Sequence, residues 1–275
     1  MSLTGADRIG PAQPAAPARA PRGLGPALSV LEFHLTGYRR TWRSSVFSSF
    51  LLPLLMVLSF GVGVGAYVDT RIDGFGYLDW IVPGLIASTA VQVAIGESSW
   101  PVLGGFSWHK IYFSQVAAPL RIGDIVGGLL GFVLLRTATS VLAFLLVATT
   151  FGALHSGWSV LTLPVVLLLA ASVALPVIAF SATVTSDSYL AILFRFAVIP
   201  MTLFAGVFFP VESLPVVVRP LAYLSPLWHG VDLCRAAALG IQPVWSVPGH
   251  LAYLALWAGA GWWLATRQFR KRLIH

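Results

Sequence analysis

The chain is 275 residues long, 57% hydrophobic and only 10% charged, with a formal net charge of +7. A soluble domain carries about 25% charged residues, so this composition excludes one and calls for the bilayer as solvent. No soluble basic domain is present to bind nucleic acid, and a single cysteine, Cys234, excludes an internal disulfide and a cysteine metal cluster.

The first 25 residues are rich in Ala, Pro and Gly and read as a disordered cytoplasmic tail. Leu24, Leu28, Leu31, Leu35, Tyr38, Trp42 and Val46 then recur at steps of three or four, while Glu32, Thr36, Arg39, Arg40 and Arg43 lie largely off that stripe. This predicts an amphipathic helix over 26–46 lying on the inner membrane surface. Six apolar spans follow, at 47–67, 78–95, 125–154, 161–183, 190–209 and 249–266. Each is close to the roughly 20 residues that cross the hydrocarbon. The expected fold is therefore an all-α polytopic membrane protein with six transmembrane helices.

Lys and Arg set the orientation. With the N-terminus inside, Arg39, Arg40, Arg43, Lys110, Arg121, Arg195, Arg267, Arg270, Lys271 and Arg272 fall on the inner side, and only Arg71, Arg219 and Arg235 on the outer. Both termini are expected in the cytoplasm, and the protein in the plasma (inner) membrane. Two connections stand out. The inner segment 101–120 carries Trp108, His109, Lys110, Tyr112 and Phe113, large aromatics on the water side that call for a partner surface or the headgroup layer, and Pro119 ends its helical stretch. The outer segment 210–248 is too apolar for a free loop. Ser225, Pro226 and Gly240 frame a helix in it, and two short re-entrant helices are expected there.

The chemistry of catalysis is missing from the sequence. There is no phosphate-binding G-x-x-x-x-G-K-[S/T] loop, no H-E-x-x-H helix and no paired carboxylates at metal spacing. No catalytic or metal-ligating residue is assigned, and Asp69, Asp73 and Asp79 read as a solvated loop face. Charges in or beside spans are functional suspects. Glu97 near the inner end of the second span and Arg136 in the third read either as a pair tying two helices or as two side chains snorkelling separately. His229, on the outer helical unit, reads as a hydrogen-bonded or a titrating gate residue.

The run Phe194-Arg195-Phe196-Ala197-Val198-Ile199-Pro200-Met201-Thr202-Leu203-Phe204-Ala205-Gly206-Val207-Phe208-Phe209-Pro210 resembles the signature of ABC-2-type exporter permeases. So do Leu214-Pro215, Pro226-Leu227-Trp228-His229-Gly230-Val231, Arg235, Leu239-Gly240, and the inner stretch Tyr112 to Asp124. The chain is similar in these motifs to permeases of daunorubicin-resistance and nodulation lipo-oligosaccharide exporters, and the pattern runs from about Leu28 to Arg272. Trp228 is bulkier than that pattern leads one to expect, and the Pro/Ala tail lies outside it.

The resemblance implies two permease chains, identical or paralogous, with a pathway between them, and two separate ATP-binding cassette subunits below. ATP and Mg then belong to the partner, and this chain binds no cofactor. The inner loop would hold a coupling helix that docks on the ATPase through Trp108, His109, Lys110, Tyr112, Phe113 and Pro119. Phe208, Phe209, Trp228 and His229 would line or brace the outer cap. The function expected is ATP-driven export of a lipid-like, amphipathic or glycan-linked molecule by alternating access. The rivals are an ion-coupled secondary transporter, which lacks a clear mid-span acid, and a lipid-modifying membrane enzyme, which lacks a catalytic cluster.

Overall fold

The computed structural model describes residues 25–40, 51, 54–67, 71, 72 and 74–274. Most of the expected tail, the end of the interfacial helix at Trp42, Arg43 and Val46, the start of the first span, Pro53, Asp69 and Asp73 lie outside them. Among the described residues there is no strand, only an isolated bridge between Ile72 and Phe75.

Helix α1 (Gly25–Tyr38) begins at Gly25, where the tail was expected to end. It packs on α5 (Ile122–Thr150) over a stripe of glycines. A Cβ on Gly128 would lie 2.5 Å from the Val30 Cβ, and one on Gly131 would touch Leu31. The missing side chains let the two backbones approach, the usual device of helix pairs in membranes. Leu28 and Phe33 remain exposed on the other face of α1.

The described part of the first expected span carries a π-helical segment, Val57–Val64, and a 3-10 turn, Gly65–Tyr67. Next come α2 (Tyr77–Ser98), α3 (Trp100–Ser107), α4 (Ile111–Ala117) and α5. Asp124 Oδ2 accepts a 2.9 Å hydrogen bond from the Arg121 amide and starts α5. Gly152, at φ +68°, turns the chain just after α5 ends, so this helix starts and stops earlier than the expected span at 125–154. A 3-10 turn (Gly157–Leu161) leads into α6 (Thr162–Thr183).

The fifth span differs from a plain helix. It is α7 (Asp187–Leu193), a π-helical turn (Phe194–Val198) and α8 (Ile199–Phe204), after which the backbone bends through Gly206 at φ +74°. The helix therefore ends five residues short of the expected Phe209. Short helix α9 (Arg219–Leu224) and α10 (Pro226–Leu239) occupy the segment 210–248. Ser225 Oγ accepts from the Leu227 amide at 3.2 Å, and Gly240 at φ +73° ends α10. Nearly all of α10 is buried, against α2 and α6. The last helix, α11 (Val247–Ile274), lies along α6, where Gly261 meets Leu175 and Pro176 so closely that a Cβ would overlap both.

Among the described residues four helical stretches are long and apolar enough to cross a membrane: Tyr77–Ser107, Ile122–Thr150, Gly157–Thr183 and Asp187–Phe204. The sixth expected span falls on α11, which is 28 residues long but carries three Gly, three Trp, a His and a basic C-terminal end and is therefore less apolar than those four. The main core joins α2, α5, α6 and α10 through Trp80, Ile81, Phe144, Leu169, Leu227 and Val231.

Candidate functional site

The expected coupling segment is two short helices joined by a tight turn. Lys110 sits in the left-handed region, at φ 52°, and breaks α3 from α4. Trp108 (62% exposed) and Phe113 (43%) face outward, as do His109, Lys110 and Pro119. Tyr112 does not. It is only 2% exposed, its ring 4.6 Å from that of Phe106 and 5.1 Å from that of Phe269 on α11. Gly105 makes room for it, since a Cβ there would overlap the Tyr112 ring. Burial raises the Tyr112 phenol beyond its ordinary range, so it stays neutral. The reading of Tyr112 as an exposed docking residue is thus corrected: the aromatic cluster with Phe106 and Phe269 is worth more to this side chain than water, and it pins α4 to α3 and α11 from inside.

Arg272 closes the same corner. Its Nη1 donates to the Ala182 and Val184 carbonyls at 2.9 Å each, its Nη2 to Ser107 Oγ at 3.2 Å, and its guanidinium lies 4.5 Å from the Phe106 ring centroid. Positive charge beside the last carbonyls of a helix is favourable, and here it also ties α6, α3 and α11 together. In the sequence Arg272 reads only as one more inner charge.

Glu97 and Arg136 are brought together. Arg136 Nε donates to Glu97 Oε1 at 3.0 Å, with side chains 14% (Arg136) and 22% (Glu97) exposed. Arg136 Nη1 also donates to the Tyr38 hydroxyl at 2.8 Å, and the guanidinium stands 4.6 Å from the Tyr38 ring centroid. The pair therefore links three elements, α1, α2 and α5. Tyr38 lies on the apolar stripe of α1, and nothing in its spacing marks it as a polar partner.

At the other end of the molecule Phe208 and Phe209 are half-buried in the bent segment after α8, and the Phe208 ring is 5.2 Å from Phe60. Trp228 is buried among Tyr223, Trp245 and His250. His229 is fully buried, with Nε2 3.0 Å from the Tyr223 carbonyl and Nδ1 2.8 Å from His250 Nδ1. His250 Nε2 in turn stands 3.0 Å from Asp232 Oδ2, at ion-pair distance though off the line of a good hydrogen bond. Asp232 Oδ2 also accepts the Val244 amide at 2.8 Å.

A carbonyl only accepts, so His229 Nε2 carries hydrogen. The gaps from the carbonyl to His229 and from His229 to His250 need one proton each, which the two imidazoles supply. Loss of His250 to an aliphatic side chain would leave His229 Nδ1 unpaired and the mostly buried Asp232 carboxylate facing hydrocarbon. His250→Leu is expected to lower the stability of the purified protein by about 3 kcal/mol, and Asp232→Asn in the same chain to recover most of it. Thermal unfolding of the two variants checks this, and equal losses in both would contradict the pairing.

Arg235 organises the segment 205–211 beside α10, and in the sequence it reads merely as a charge on the expected outer side. It is 8% exposed, its guanidinium 3.5 Å from the Trp80 ring centroid. Nε donates to the Trp80 carbonyl at 3.3 Å, and Nη2 to Gly206 at 2.6 Å and Val207 at 3.4 Å. Buried carbonyls outside regular helix need such donors. Gly84 on α2 permits the approach, its missing Cβ leaving the Val207 carbonyl 3.0 Å from where one would stand. Asp232 and Arg235, one turn apart on an otherwise apolar helix, are the signal that could have found this site. Together with Trp80, Trp228 and Glu212 they line a cavity of about 520 Å³. Among the described residues no group of His, Cys, Asp and Glu is arranged to hold a metal ion.

Comparison with known proteins agrees with this architecture. Nodulation protein J of Rhizobium leguminosarum bv. viciae is 26% identical over 247 residues, covering 90% of this chain and 95% of the relative. The bv. trifolii protein of the same name is 28% identical over 239 residues, 85% of this chain and 90% of its own. That of Azorhizobium caulinodans is 29% identical over 223 residues, 75% and 81% respectively. The ABC-2 type transporter family matches residues 28–239, from α1 to the end of α10. Its members are transport components that partner with an ATP-binding subunit and do not themselves hydrolyse ATP. With more than half of its length matched, this chain belongs to the ABC-2 type transporter family and is a membrane permease.

Proposed function

We propose that this chain is one of two permease chains of an ATP-driven exporter, working by alternating access on an amphipathic, lipid-like or glycan-linked molecule. In this reading it spans the membrane six times with both termini in the cytoplasm, α1 lies along the inner surface, and α9 and α10 dip back into the outer leaflet as a cap. Two ATP-binding cassette subunits hold ATP and Mg and pull on the α3–α4 turn. The buried α10 and its Arg235 clamp support the cap, and Glu97–Arg136–Tyr38 supports a link through which α1, α2 and α5 move together.

The observation that carries the reading is the α3–α4 turn itself. It shows Trp108, His109, Lys110 and Phe113 on the outside and is pinned from within by Tyr112, so force on the exposed face passes directly to α3 and α11. Family membership favours an ATP-binding partner over ion coupling as the source of that force. Truncating aromatic anchors at an interface costs about 2 kcal/mol or more, over tenfold in affinity. Trp108→Ala with Phe113→Ala is expected to leave the permease inserted and monodisperse while the ATPase no longer co-purifies. Tyr112→Ala, by contrast, should lower the melting temperature of the permease alone. A Trp108/Phe113 variant that keeps its full complement of ATPase would leave these two residues as headgroup anchors only.

A further inference from the structure

A groove of about 810 Å³ opens between the start of α5, the end of α11 and the first turn of α1. It is distinct from the cavity beside Arg235. Arg121 and Arg270 line this one at the ends of their helices, and among the described residues neither guanidinium has a hydrogen-bond or ion-pair partner. Asp124 lies in the same wall, but its Oδ2 is engaged by the Arg121 amide. The other end of the groove is apolar, closed by Trp262 and Gly127. Eight residues of α11 separate Trp262 from Arg270, about 12 Å along the axis at 1.5 Å per residue.

We propose that this groove binds an anionic phospholipid, with the headgroup phosphate between Arg121 and Arg270 and the first acyl carbons against Trp262 and Gly127. Two free guanidiniums at the aqueous end match a phosphate, which accepts two charge-assisted hydrogen bonds from each. An apolar wall rising from them matches the glycerol and chain of a lipid and gives a soluble phosphate nothing to bury. Basic pockets between membrane helices on the cytoplasmic side commonly take such headgroups. The N-terminal tail is a poor occupant, since residues 1–24 carry Arg8, Arg19 and Arg22 against a single Asp7 and would meet like charge. The groove adjoins the α4 segment through Val116 and Leu120, so a lipid seated there would brace the coupling corner.

The structure also supplies a variant that fills the groove without touching its charges. Gly123 lines the groove, and a Cβ built on it meets nothing within 4 Å. Gly123→Leu therefore starts its side chain in open space beside the groove and is the filling variant. The test is native mass spectrometry of the purified full-length permease from nanodiscs of phosphatidylcholine with a minor share of phosphatidylglycerol. The wild type is expected to retain phosphatidylglycerol selectively. Arg121→Gln with Arg270→Gln should lower that retention at least about tenfold, since the loss of even one charge-assisted hydrogen bond is worth that ratio, and Gly123→Leu should lower it by filling the space of the lipid. Arg39→Gln with Arg40→Gln, basic residues elsewhere on the same side, should retain it. The proposal is overturned if both groove variants keep phosphatidylglycerol, if the Arg39/Arg40 control loses it equally, or if millimolar inorganic phosphate displaces it. Because retention is read on isolated protein without the ATPase, it does not depend on the orientation or the partner proposed above.

Discussion

Glu97→Gln and Arg136→Gln are each expected to abolish most transport and to destabilise the permease by about 3–5 kcal/mol, because each leaves the other charge buried and uncompensated. The contact is a single 3.0 Å hydrogen bond between side chains mostly removed from solvent, with Tyr38 as a second acceptor on Arg136. The two losses should therefore fail to add. The double variant should be scarcely worse than either single one, and exchanging the charges should restore part of the function. Tyr38→Phe should cost less, on the order of 1 kcal/mol, since it removes one hydrogen bond and leaves the ion pair and the ring. Transport counts and melting temperatures of the five proteins would decide. Fully additive losses would mean that the two charges act separately and that α1, α2 and α5 are not linked through them.

The second large effect is at Arg235. Replacing it with Leu leaves the carbonyls of Trp80, Gly206 and Val207 without this donor, in a region where water is scarce. At roughly 1–3 kcal/mol for each buried group left unsatisfied, the loss should reach about 3 kcal/mol or more. Arg235→Lys should recover little. A single ammonium lacks the planar fork that reaches carbonyls on two elements while lying over the Trp80 ring. Protease sensitivity of the 205–211 segment and thermal unfolding give the two readouts. An Arg235→Leu protein with wild-type melting and an intact segment would remove Arg235 from its place as the clamp between α2, α10 and the segment after α8.

Much of this architecture is legible in the sequence because hydropathy responds directly to the bilayer. Spans two to five each fall on a helical stretch of the right length, and Ser225, Pro226 and Gly240 mark the ends of α10 because capping is a local matter. What the sequence hides is where a side chain goes once helices pack. Trp108, Tyr112 and Phe113 look alike as aromatics outside a span, yet Tyr112 turns inward because Gly105 leaves a space of its size and Phe269, more than 150 residues away, completes the pocket. Arg235 and Arg272 count as topology signals by their charge. Their roles as donors to stranded carbonyls depend on the breaks after Phe204 and Thr183. The row from Asp232 to His229 needs α11 laid beside α10, which no local spacing encodes.

ATPase activity of the assembly isolated through a tag on this chain tests whether ATP hydrolysed in a separate subunit drives this permease. Mg-dependent hydrolysis is expected that is lost when the associated subunit is stripped, is absent from the remaining permease and returns when the subunit is added back. The Trp108→Ala, Phe113→Ala permease is expected to fail that last step. Hydrolysis that stays with the stripped chain, or full recovery with the double variant, would contradict a separate driving subunit.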